Sequence, residues 1–257
     1  VFLWFRINED TNLLILGTDS SDKYTHHTDT IILINFKIKK DKIIFISVPR
    51  DTLIEYRGID AKINSVYAYN FPKVGSNKAS QKVVKEVERL LNIDIPYFIQ
   101  VDYSGVEKIV DLLGGVRVKI EKKMYYKDKA SGLTINFNPG IYNLNGSDAV
   151  KYLRFRKDEK ADTGRMERQQ KVLFTLLENC KRKLTAEKMS SVYKIISKHL
   201  NTNVSLDRAV YIFNKFNKYE LNTAERTILP GQPITINKIS YWEPDYYRID
   251  KIVNKIR

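Results

Sequence analysis

The fold is decided by residues 28–51, which read TDTIILINFKIKKDKIIFISVPRD. Within this stretch, Thr30–Phe36 and Lys42–Val48 are apolar runs rich in β-branched residues and bounded by turn-forming residues. Such runs are typical of buried strands. The shorter runs Leu13–Leu16 and Tyr97–Val101 have the same character. The sequence therefore predicts at least four strands, and three of them lie within the first fifty residues.

Apolar residues recur at helical spacing elsewhere in the chain. The helices predicted in this way are Lys78–Leu91, Ser104–Leu113, Arg165–Arg182, Met189–Leu200 and Leu206–Phe216, the last with Ser205 as its N-cap. Strands interleaved with helices favour the α/β class, here a three-layer α/β/α sandwich around a mixed central sheet. The polar stretch Lys123–Gly140 predicts a short accessory hairpin. We expect a single domain over 1–257, with its motifs in 12–180 and a helical C-terminal portion over about 184–257.

The charge balance predicts an anionic partner. The chain carries 44 basic and 30 acidic residues, a net charge of +14. Nucleic acid, an anionic membrane face and a phosphorylated polymer are all partners that such a positive charge would attract. The alternative is that the chain is simply rich in lysine and that the charge has no functional meaning. The one cysteine, Cys180, excludes a disulfide framework and is interpreted as a small buried apolar residue. The apolar opening Val1–Phe5 is either the remnant of a membrane anchor or a first strand.

Two aspartates are expected at one edge of the sheet. Asp19 directly follows the strand Leu13–Leu16 and the short segment Gly17-Thr18, and Asp29 directly precedes Thr30–Phe36. If these strands are neighbours, both carboxylates emerge at the same edge, where they suit a hydrated divalent cation such as Mg²⁺. The alternative is a pair of turn-forming aspartates.

A second cluster ends the next strand, where Pro49 stops the apolar run and is followed by Arg50 and Asp51. Ligands of open α/β sheets bind outside the carboxyl ends of strands, so this pair is a candidate for the site. The alternative is a local ion pair that closes a turn.

Two arginine clusters follow later in the chain. On an extended segment, Arg154 and Arg156 would point the same way and form a clamp suited to phosphate. If a helix begins near Gly164, then Arg165, Arg168 and Gln169 share one face close to a helix N-terminus that favours anions. In the alternative, this is a solvated charged helix capped by Asp162 or Thr163.

Together these clusters resemble the LytR–CpsA–Psr family of cell-wall glycopolymer ligases. The motifs that carry the resemblance are Leu16-Gly17-Thr18-Asp19, Thr28-Asp29-Thr30, Ser47-Val48-Pro49-Arg50-Asp51, Lys62-Ile63-Asn64, Leu112-Leu113-Gly114-Gly115-Val116, Leu144-Asn145-Gly146, Arg154-Phe155-Arg156 and Asp162 through Gln170. Each motif is common, but all of them in this order are highly specific. A looser resemblance continues through Leu229-Pro230-Gly231 and Ser240-Tyr241.

The resemblance implies a Mg²⁺- or Mn²⁺-dependent phosphotransferase. It would move an anionic glycopolymer, such as wall teichoic acid or capsular polysaccharide, from a polyprenyl-pyrophosphate carrier to a peptidoglycan hydroxyl. Family members work on the outer face of the cytoplasmic membrane, usually behind an N-terminal anchor, so we expect an extracellular location in a Gram-positive type of bacterium. By position, Asp19 and Asp29 match the metal-associated aspartates. The positions that match the pyrophosphate-binding set are Arg50, Arg154, Arg156, Arg165, Arg168 and Gln169, with Lys62 as a looser match and His27 at a position of the set where an arginine is usual.

Two positions depart from the family's pattern, because Ser21 and His27 stand where arginines are usual. Catalytic roles are expected for Arg50 and for a carboxylate, Asp29 or Asp51, that orients or deprotonates the acceptor hydroxyl. The sequence does not choose between these two carboxylates.

Two other functions are compatible with the residues. A polyprenyl-pyrophosphate phosphatase would use the same site, with water in place of the sugar hydroxyl. A non-catalytic nucleic-acid-binding protein fits the charge and the 16 tyrosines, but the arginines stand beside carboxylates that repel a phosphate backbone. We therefore expect no nucleic acid among the partners.

Overall fold

The structure is a computed structural model that describes residues 10–19, 27–37, 40, 42–128, 132–157, 161–185, 192–193, 197–217 and 219–257, without the side chains of residues 161, 162, 215 and 222. The chain forms two compact units: a major unit, Val1–Asp102 with Leu200–Arg257, and a minor unit, Tyr103–His199. That both belong to one domain stays a prediction. None of the described helices is both long and apolar enough to cross a membrane.

The elements are numbered in chain order. The strands are β1 (Thr11–Thr18), β2 (Thr28–Lys37), β3 (Lys42–Ser47), β4 (Leu53–Tyr56), β5 (Ile59–Lys62), β6 (Tyr97–Asp102), β7 (Val116–Ile120), β8 (Met124–Asp128), β9 (Leu133–Phe137), β10 (Gly140–Leu144), β11 (Leu200–Thr202), β12 (Glu225–Ile228), β13 (Gly231–Ile236) and β14 (Ile239–Pro244). The helices are α1 (Ser65–Leu91), α2 (Tyr103–Leu112), α3 (Gly146–Arg154), α4 (Ala161–Lys183), α5 (Leu206–Phe216) and α6 (Tyr246–Ile256).

The major unit is built on a mixed sheet of six strands in the order β11-β6-β1-β2-β3-β12. β1 pairs in parallel with β6 and antiparallel with β2, and β3 pairs antiparallel with β2 and in parallel with β12. As a result β1, β3, β6 and β12 all end at the same edge of the sheet, which is called the carboxyl edge below. The predicted mixed central sheet is confirmed.

Both faces of this sheet are covered, one of them by helices, and the predicted sandwich is confirmed. Alternate residues of a strand point to opposite faces. On one face, Leu33 lies in a buried cluster with α1 and α6, which contribute Val83 and Val253. On the other face, Phe36 contacts Tyr219, which follows α5, with ring centroids 6.3 Å apart.

The predicted helix Lys78–Leu91 is only the second half of α1, which begins at Ser65. Pro72 lies inside α1, and Gly75 adopts a non-helical backbone with φ 75° and ψ 173°. Proline and glycine normally argue against a helix, which is why the first half was not predicted. The helix ends at Leu91 and is followed by its C-cap residue Asn92, whose backbone is left-handed.

The minor unit contains α2 to α4 and two hairpins. β7 pairs with β10, and β8 pairs with β9. The β8–β9 pair is the accessory hairpin predicted within Lys123–Gly140, so that prediction is confirmed. Its core joins the hairpins to the helices through Ile135 in β9, Leu153 in α3 and Val172 in α4.

The C-terminal portion is less helical than predicted. It contains α5, whose predicted bounds are confirmed, and Ser205 Oγ accepts a hydrogen bond from the backbone N–H of Arg208 at 3.3 Å. It also contains α6, but four strands, β11 to β14, come from the same portion. The helix predicted over Met189–Leu200 falls largely outside the described residues, and Leu200 itself begins β11.

Candidate active site

The two aspartates predicted to hold a metal lie at the carboxyl edge. In the β1–β2 pair, Gly17 is opposite Thr30 and Thr18 is opposite Thr28, so Asp29 is an extra residue in a β-bulge. Asp19 directly follows the last residue of β1. A bulge redirects the side chain of the extra residue, and bulges are common beside functional sites. The antiparallel β1–β2 pairing therefore brings both carboxylates to one edge, as the sequence argument required.

Gly17 has a packing reason to be glycine. A Cβ atom at this position would meet Thr30 Cβ at 2.8 Å and Thr30 Oγ1 at 2.9 Å, closer than real Cβ contacts. The close approach of β1 and β2 at the bulge therefore excludes a side chain here. This explains the glycine of the Leu16-Gly17-Thr18-Asp19 motif without any role in chemistry.

Four charged side chains form a continuous ion-pair cluster in the major unit. Arg50 Nη1 lies 2.8 Å from Asp29 Oδ1, and Arg50 Nε lies 3.7 Å from Asp51 Oδ2. The second oxygen of Asp51, Oδ1, lies 2.9 Å from Lys62 Nζ. The side chain of Asp29 is 10% exposed and that of Asp51 is 27% exposed. Negative and positive side chains therefore alternate through this cluster at the carboxyl edge, and the cluster is partly shielded from solvent.

The loop that carries Arg50 and Asp51 is fixed by its own hydrogen bonds. The backbone N–H of Thr52 donates to Pro49 O at 3.0 Å, and Thr52 Oγ1 donates to the same oxygen at 2.6 Å. Asn64 N donates to Arg50 O, and Trp242 N donates to Asp51 O at 2.9 Å. Trp242 belongs to β14, so a strand from the C-terminal part of the chain helps to hold this loop in place. This contact was not predicted from the sequence.

Lys62 is positioned by its neighbours as well as by Asp51. It ends β5, where it pairs with Leu53, the first residue of β4. Its Nζ atom lies 5.9 Å from the ring centroid of Tyr241, which is buried. A cation at this distance from an aromatic ring is attracted to the ring face. Lys62 is therefore a fixed member of the cluster, although the sequence match was loose.

A buried polar network lies directly behind Asp19. Gln100 in β6 donates from Nε2 to Thr18 Oγ1 at 2.7 Å, and its Oε1 accepts from Ser76 Oγ at 2.8 Å. Tyr67 OH lies 2.8 Å from Ser76 Oγ. Burial raises the pKa of Tyr67, the hydrogen bond to Ser76 opposes this, and the charge of Asp102 adds to it. The network ties the end of β1 to the kinked part of α1, and the sequence reading did not find it.

We predict that Thr18 and Gln100 are energetically coupled. A neutral hydrogen bond contributes about 0.5–1.5 kcal/mol to stability, and breaking a buried one costs about 1–3 kcal/mol. The measurement is a double-mutant cycle by urea unfolding with Thr18→Val, Gln100→Met and the double variant. The double variant should be more stable than the sum of the single effects predicts, by about 1 kcal/mol. Strictly additive effects would contradict the coupling.

In the minor unit, Arg154 and Arg156 are not the extended pair that was predicted. Arg154 is the last residue of α3, and Phe155 after it has an extended backbone, with φ −65° and ψ 132°. The Arg154 guanidinium carbon lies 5.4 Å from the ring centroid of Tyr103. Arg156 is exposed. The expected strand-like clamp is therefore wrong for Arg154, because helix α3 continues through it.

Arg165, Arg168 and Gln169 share a face of α4, but not at its N-terminus. α4 begins at Ala161, so the prediction of a helix starting near Gly164 was wrong, and neither Asp162 nor Thr163 is its cap. Arg165 is 1% exposed and Gln169 is 8% exposed. Arg168 Nη2 donates to Phe155 O at 2.5 Å. This face of α4 is therefore buried and rich in hydrogen-bond donors.

The remaining predicted residues are less informative. His27 directly precedes β2, and its Nδ1 atom is buried without a hydrogen-bond partner among the described residues. Ser21 lies outside the described residues. Burial raises the pKa of Cys180 to about 11, which disfavours a thiolate nucleophile at neutral pH.

The described residues contain no group of three or more His, Cys, Asp or Glu side chains that could hold a metal ion. Asp19 and Asp29 therefore belong to no such group within the part of the chain that the structure describes. This donor set fits Mg²⁺, which usually takes one or two carboxylates together with substrate phosphates and waters.

Comparisons with known proteins identify relatives of this chain. The chain is 28% identical over 255 residues to "Polyisoprenyl-teichoic acid--peptidoglycan teichoic acid transferase TagU" of Oceanobacillus iheyensis, covering 98% of this chain and 77% of that protein. It is 32% identical over 196 residues to "Regulatory protein MsrR" of Staphylococcus aureus strain Mu50, covering 75% of this chain and 56% of that protein.

Solved structures share the fold. The crystal structure of TagV from B. subtilis matches with a TM-score of 0.82 at 24% identity, over 97% of this chain and 96% of that one. A structure described as TagT bound to LIIa-WTA matches with a TM-score of 0.76 at 23% identity, over 96% and 89%. The model of the LytR_cpsA_psr family matches residues 5–257. The chain therefore belongs to the LytR–CpsA–Psr family.

Proposed function

We propose that this chain is a transferase that moves an anionic glycopolymer from a polyprenyl-pyrophosphate carrier to a peptidoglycan hydroxyl. Wall teichoic acid and capsular polysaccharide are the polymer classes considered, and the outer face of the cytoplasmic membrane is the proposed location. The observation that carries the proposal is the Asp29–Arg50–Asp51–Lys62 cluster at the carboxyl edge. Support comes from the TagU relative, which is named a teichoic acid transferase and is similar over 98% of this chain.

The cluster suits phosphoryl transfer because that reaction depends on charge neutralisation and alignment. Arg50 lies 2.8 Å from Asp29 and 3.7 Å from Asp51, and its planar guanidinium has the geometry that suits phosphate oxygens. We assign Arg50 and Lys62 to the donor's diphosphate. A role in binding diphosphate is also proposed for His27 in the major unit and, in the minor unit, for Arg154, Arg156, Arg165, Arg168 and Gln169.

We assign the acceptor hydroxyl to Asp51 and not to Asp29. Asp51 is the more exposed carboxylate, at 27% against 10%, so an incoming sugar reaches it more easily. Asp51 would take the proton of the hydroxyl while the hydroxyl oxygen forms a bond to the donor's phosphorus. The bond between that phosphorus and the bridging oxygen breaks, and polyprenyl monophosphate leaves. Lys62, 2.9 Å from Asp51, would keep the carboxylate in place.

Asp19 and Asp29 would hold a Mg²⁺ or Mn²⁺ ion together with the donor's phosphates. A bound ion of this kind neutralises charge that develops on the transferred phosphoryl group. The bulge at Asp29 and the end of β1 at Asp19 are the features of this chain that fit the role.

The function is tested with a lipid-linked polymer donor, purified chain and peptidoglycan fragments. We expect polymer on peptidoglycan and polyprenyl monophosphate in equal amounts, and little monophosphate without the acceptor. If monophosphate and free polymer phosphate form equally well without peptidoglycan, the chain is a pyrophosphatase. If the donor stays intact under both conditions, the proposal is wrong.

We predict that Asp19→Asn and Asp29→Asn each raise the Mg²⁺ concentration needed for half-maximal transfer, by about tenfold. The loss of one of two anionic ligands weakens a hydrated Mg²⁺ site directly. The measurement is transfer rate against Mg²⁺ concentration. The matched control is Asp250→Asn, an exposed carboxylate on α6, which should leave the curve unchanged. An unchanged Mg²⁺ dependence in both site variants would leave Asp19 and Asp29 as turn-forming residues.

A further inference from the structure

Three of the exposed large apolar side chains lie in the β4–β5 hairpin and the first half of α1, both in the major unit. Ile59 is 67% exposed, Tyr69 is 42% exposed and Val74 is 40% exposed. Ile59 lies in the β4–β5 hairpin, and Tyr69 and Val74 lie in the first half of α1. With the basic residues Arg57 and Lys73 they form a surface that is called the hairpin patch below. Single exposed apolar residues are normal on a protein surface, whereas a group of them with basic neighbours can indicate an interaction site.

The hairpin patch is a fixed arrangement. Arg57 and Gly58 both have a left-handed backbone, with φ 59° and 81°, which makes the tight turn between β4 and β5. Tyr56, opposite Ile59, meets the Tyr69 ring edge-on with centroids 6.0 Å apart. The Arg57 guanidinium carbon lies 5.2 Å from the Tyr69 centroid. The hairpin tip and α1 are therefore locked together.

Lys73, which directly precedes Val74 in α1, places its Nζ atom 3.2 Å from the centroid of the Tyr69 ring. Further exposed lysines follow on α1, namely Lys78, Lys82 and Lys85, of which Lys85 pairs with Glu88 at 2.7 Å. In the hairpin itself, the carboxylates Glu55 and Asp60 lie opposite each other. Because strand residues alternate between faces, these two point away from the face of Tyr56 and Ile59. The face of the hairpin patch is therefore apolar at its tip and basic at its flanks.

We propose that the hairpin patch binds the surface of a bilayer that contains anionic phospholipid. Aliphatic and aromatic side chains enter the boundary between headgroups and acyl chains, while basic side chains pair with anionic headgroups. A soluble anionic polymer would use the cations but gives Ile59 and Val74 nothing apolar to contact. The Tyr69 ring already packs against Arg57 and Lys73, so it is poorly placed to stack on a sugar. This inference does not depend on the proposed transfer reaction.

The first test is co-sedimentation of the chain with vesicles, without any donor lipid. One set contains phosphatidylglycerol mixed with phosphatidylcholine, and the other contains phosphatidylcholine alone. We expect binding to the first set, weakened by salt. Ile59→Ser should lower the partition coefficient about tenfold, because an inserted apolar side chain is lost. Arg57→Gln and Lys73→Gln should each lower it about fivefold, since a basic residue near an anionic surface contributes about 1 kcal/mol.

Matched controls separate the patch from overall charge and hydrophobicity. Ile239→Ser removes an isoleucine that is 48% exposed elsewhere in the same unit. Arg248→Gln removes a basic side chain that is 72% exposed. Both control variants should bind vesicles like the unaltered chain. If they weaken binding as much as the patch variants do, the patch is not the membrane-binding surface.

The second test measures insertion at the hairpin tip. An environment-sensitive fluorophore on Ile59→Cys should shift to the blue with anionic vesicles, and the same fluorophore on Ile239→Cys should not. The native Cys180 reacts poorly at neutral pH because burial raises its pKa to about 11, and the unaltered chain is the labelling control. No blue shift at position 59, or binding of soluble teichoic acid polymer in preference to vesicles, would overturn the proposal.

Discussion

Replacing Arg50 by alanine is expected to lower the rate of polymer transfer by roughly 30-fold to several thousandfold, with the fold retained. Removing one partner of a desolvated, hydrogen-bonded charge pair typically costs about 2–5 kcal/mol. Arg50 lies 2.8 Å from Asp29, whose side chain is only 10% exposed, so the variant also leaves that carboxylate poorly compensated. The measurements are the transfer rate and the thermal unfolding midpoint of the same preparation.

Two further variants separate the functions of Arg50. Arg50→Lys keeps the charge but loses the planar fork, so an intermediate rate is expected. Arg50→Ala combined with Asp29→Asn removes the uncompensated carboxylate. If this double variant regains the original rate, Arg50 serves only to neutralise Asp29 and does not contact the donor. An Arg50→Ala variant that transfers polymer at the original rate would show that the assigned diphosphate site is wrong.

The strands that position this cluster could be predicted because their signals are local. The runs that became β2 and β3 are rich in β-branched residues, and a buried strand needs little else to be identified. Asp29 and Arg50 stand at the ends of those runs. Their meeting at one edge followed from the general rule that ligands bind where strands end. The pairing of Asp29 with Arg50 itself was not predicted, because it depends on the bulge at Gly17 and Thr18.

Contacts between distant parts of the chain could not be predicted. β12 pairs with β3 from the far end of the sequence, and Trp242 in β14 holds the loop at Asp51. Pro233 interrupts the alternation of β13, so nothing local indicates these strands. A helical C-terminal portion was expected for the same reason. The network of Thr18, Ser76 and Gln100 likewise joins three segments that share no sequence pattern.

One local signal was available and was missed. Asn145 caps α3, since its side chain accepts a hydrogen bond from Asp148 N at 2.9 Å. An asparagine cap followed by an acidic residue in the first turn predicts a helix, and that helix extends to Arg154. The predicted extended backbone at Arg154 is therefore wrong, because the helix that Asn145 caps continues through this residue.

Arg165→Met is expected to lower transfer at least about 30-fold in a protein that still folds. Arg165 is 1% exposed within α4, and burying a guanidinium costs several kcal/mol before its partners are counted. Arg165 also interacts with other groups of the chain, and removing one partner of a buried charged contact is destabilising, so some loss of stability is expected as well. We predict that this buried guanidinium also binds the donor's diphosphate. Removing a charged side chain that contacts a desolvated anion typically costs about 2 kcal/mol or more of binding free energy, which corresponds to the expected drop in transfer.

The experiment pairs thermal unfolding with ligand binding. A short-chain prenyl diphosphate should raise the unfolding midpoint of the unaltered chain, because a ligand that binds only the folded state stabilises it, and should raise that of Arg165→Met much less. The matched control is Arg182→Met on the same helix, whose guanidinium donates to Asn179 Oδ1 at 2.5 Å. This control should respond to the diphosphate like the unaltered chain. If Arg165→Met unfolds several degrees earlier but keeps its diphosphate response, Arg165 holds α4 in place and does not bind the donor. A lost diphosphate response in a variant that still unfolds cooperatively assigns the buried guanidinium to the diphosphate.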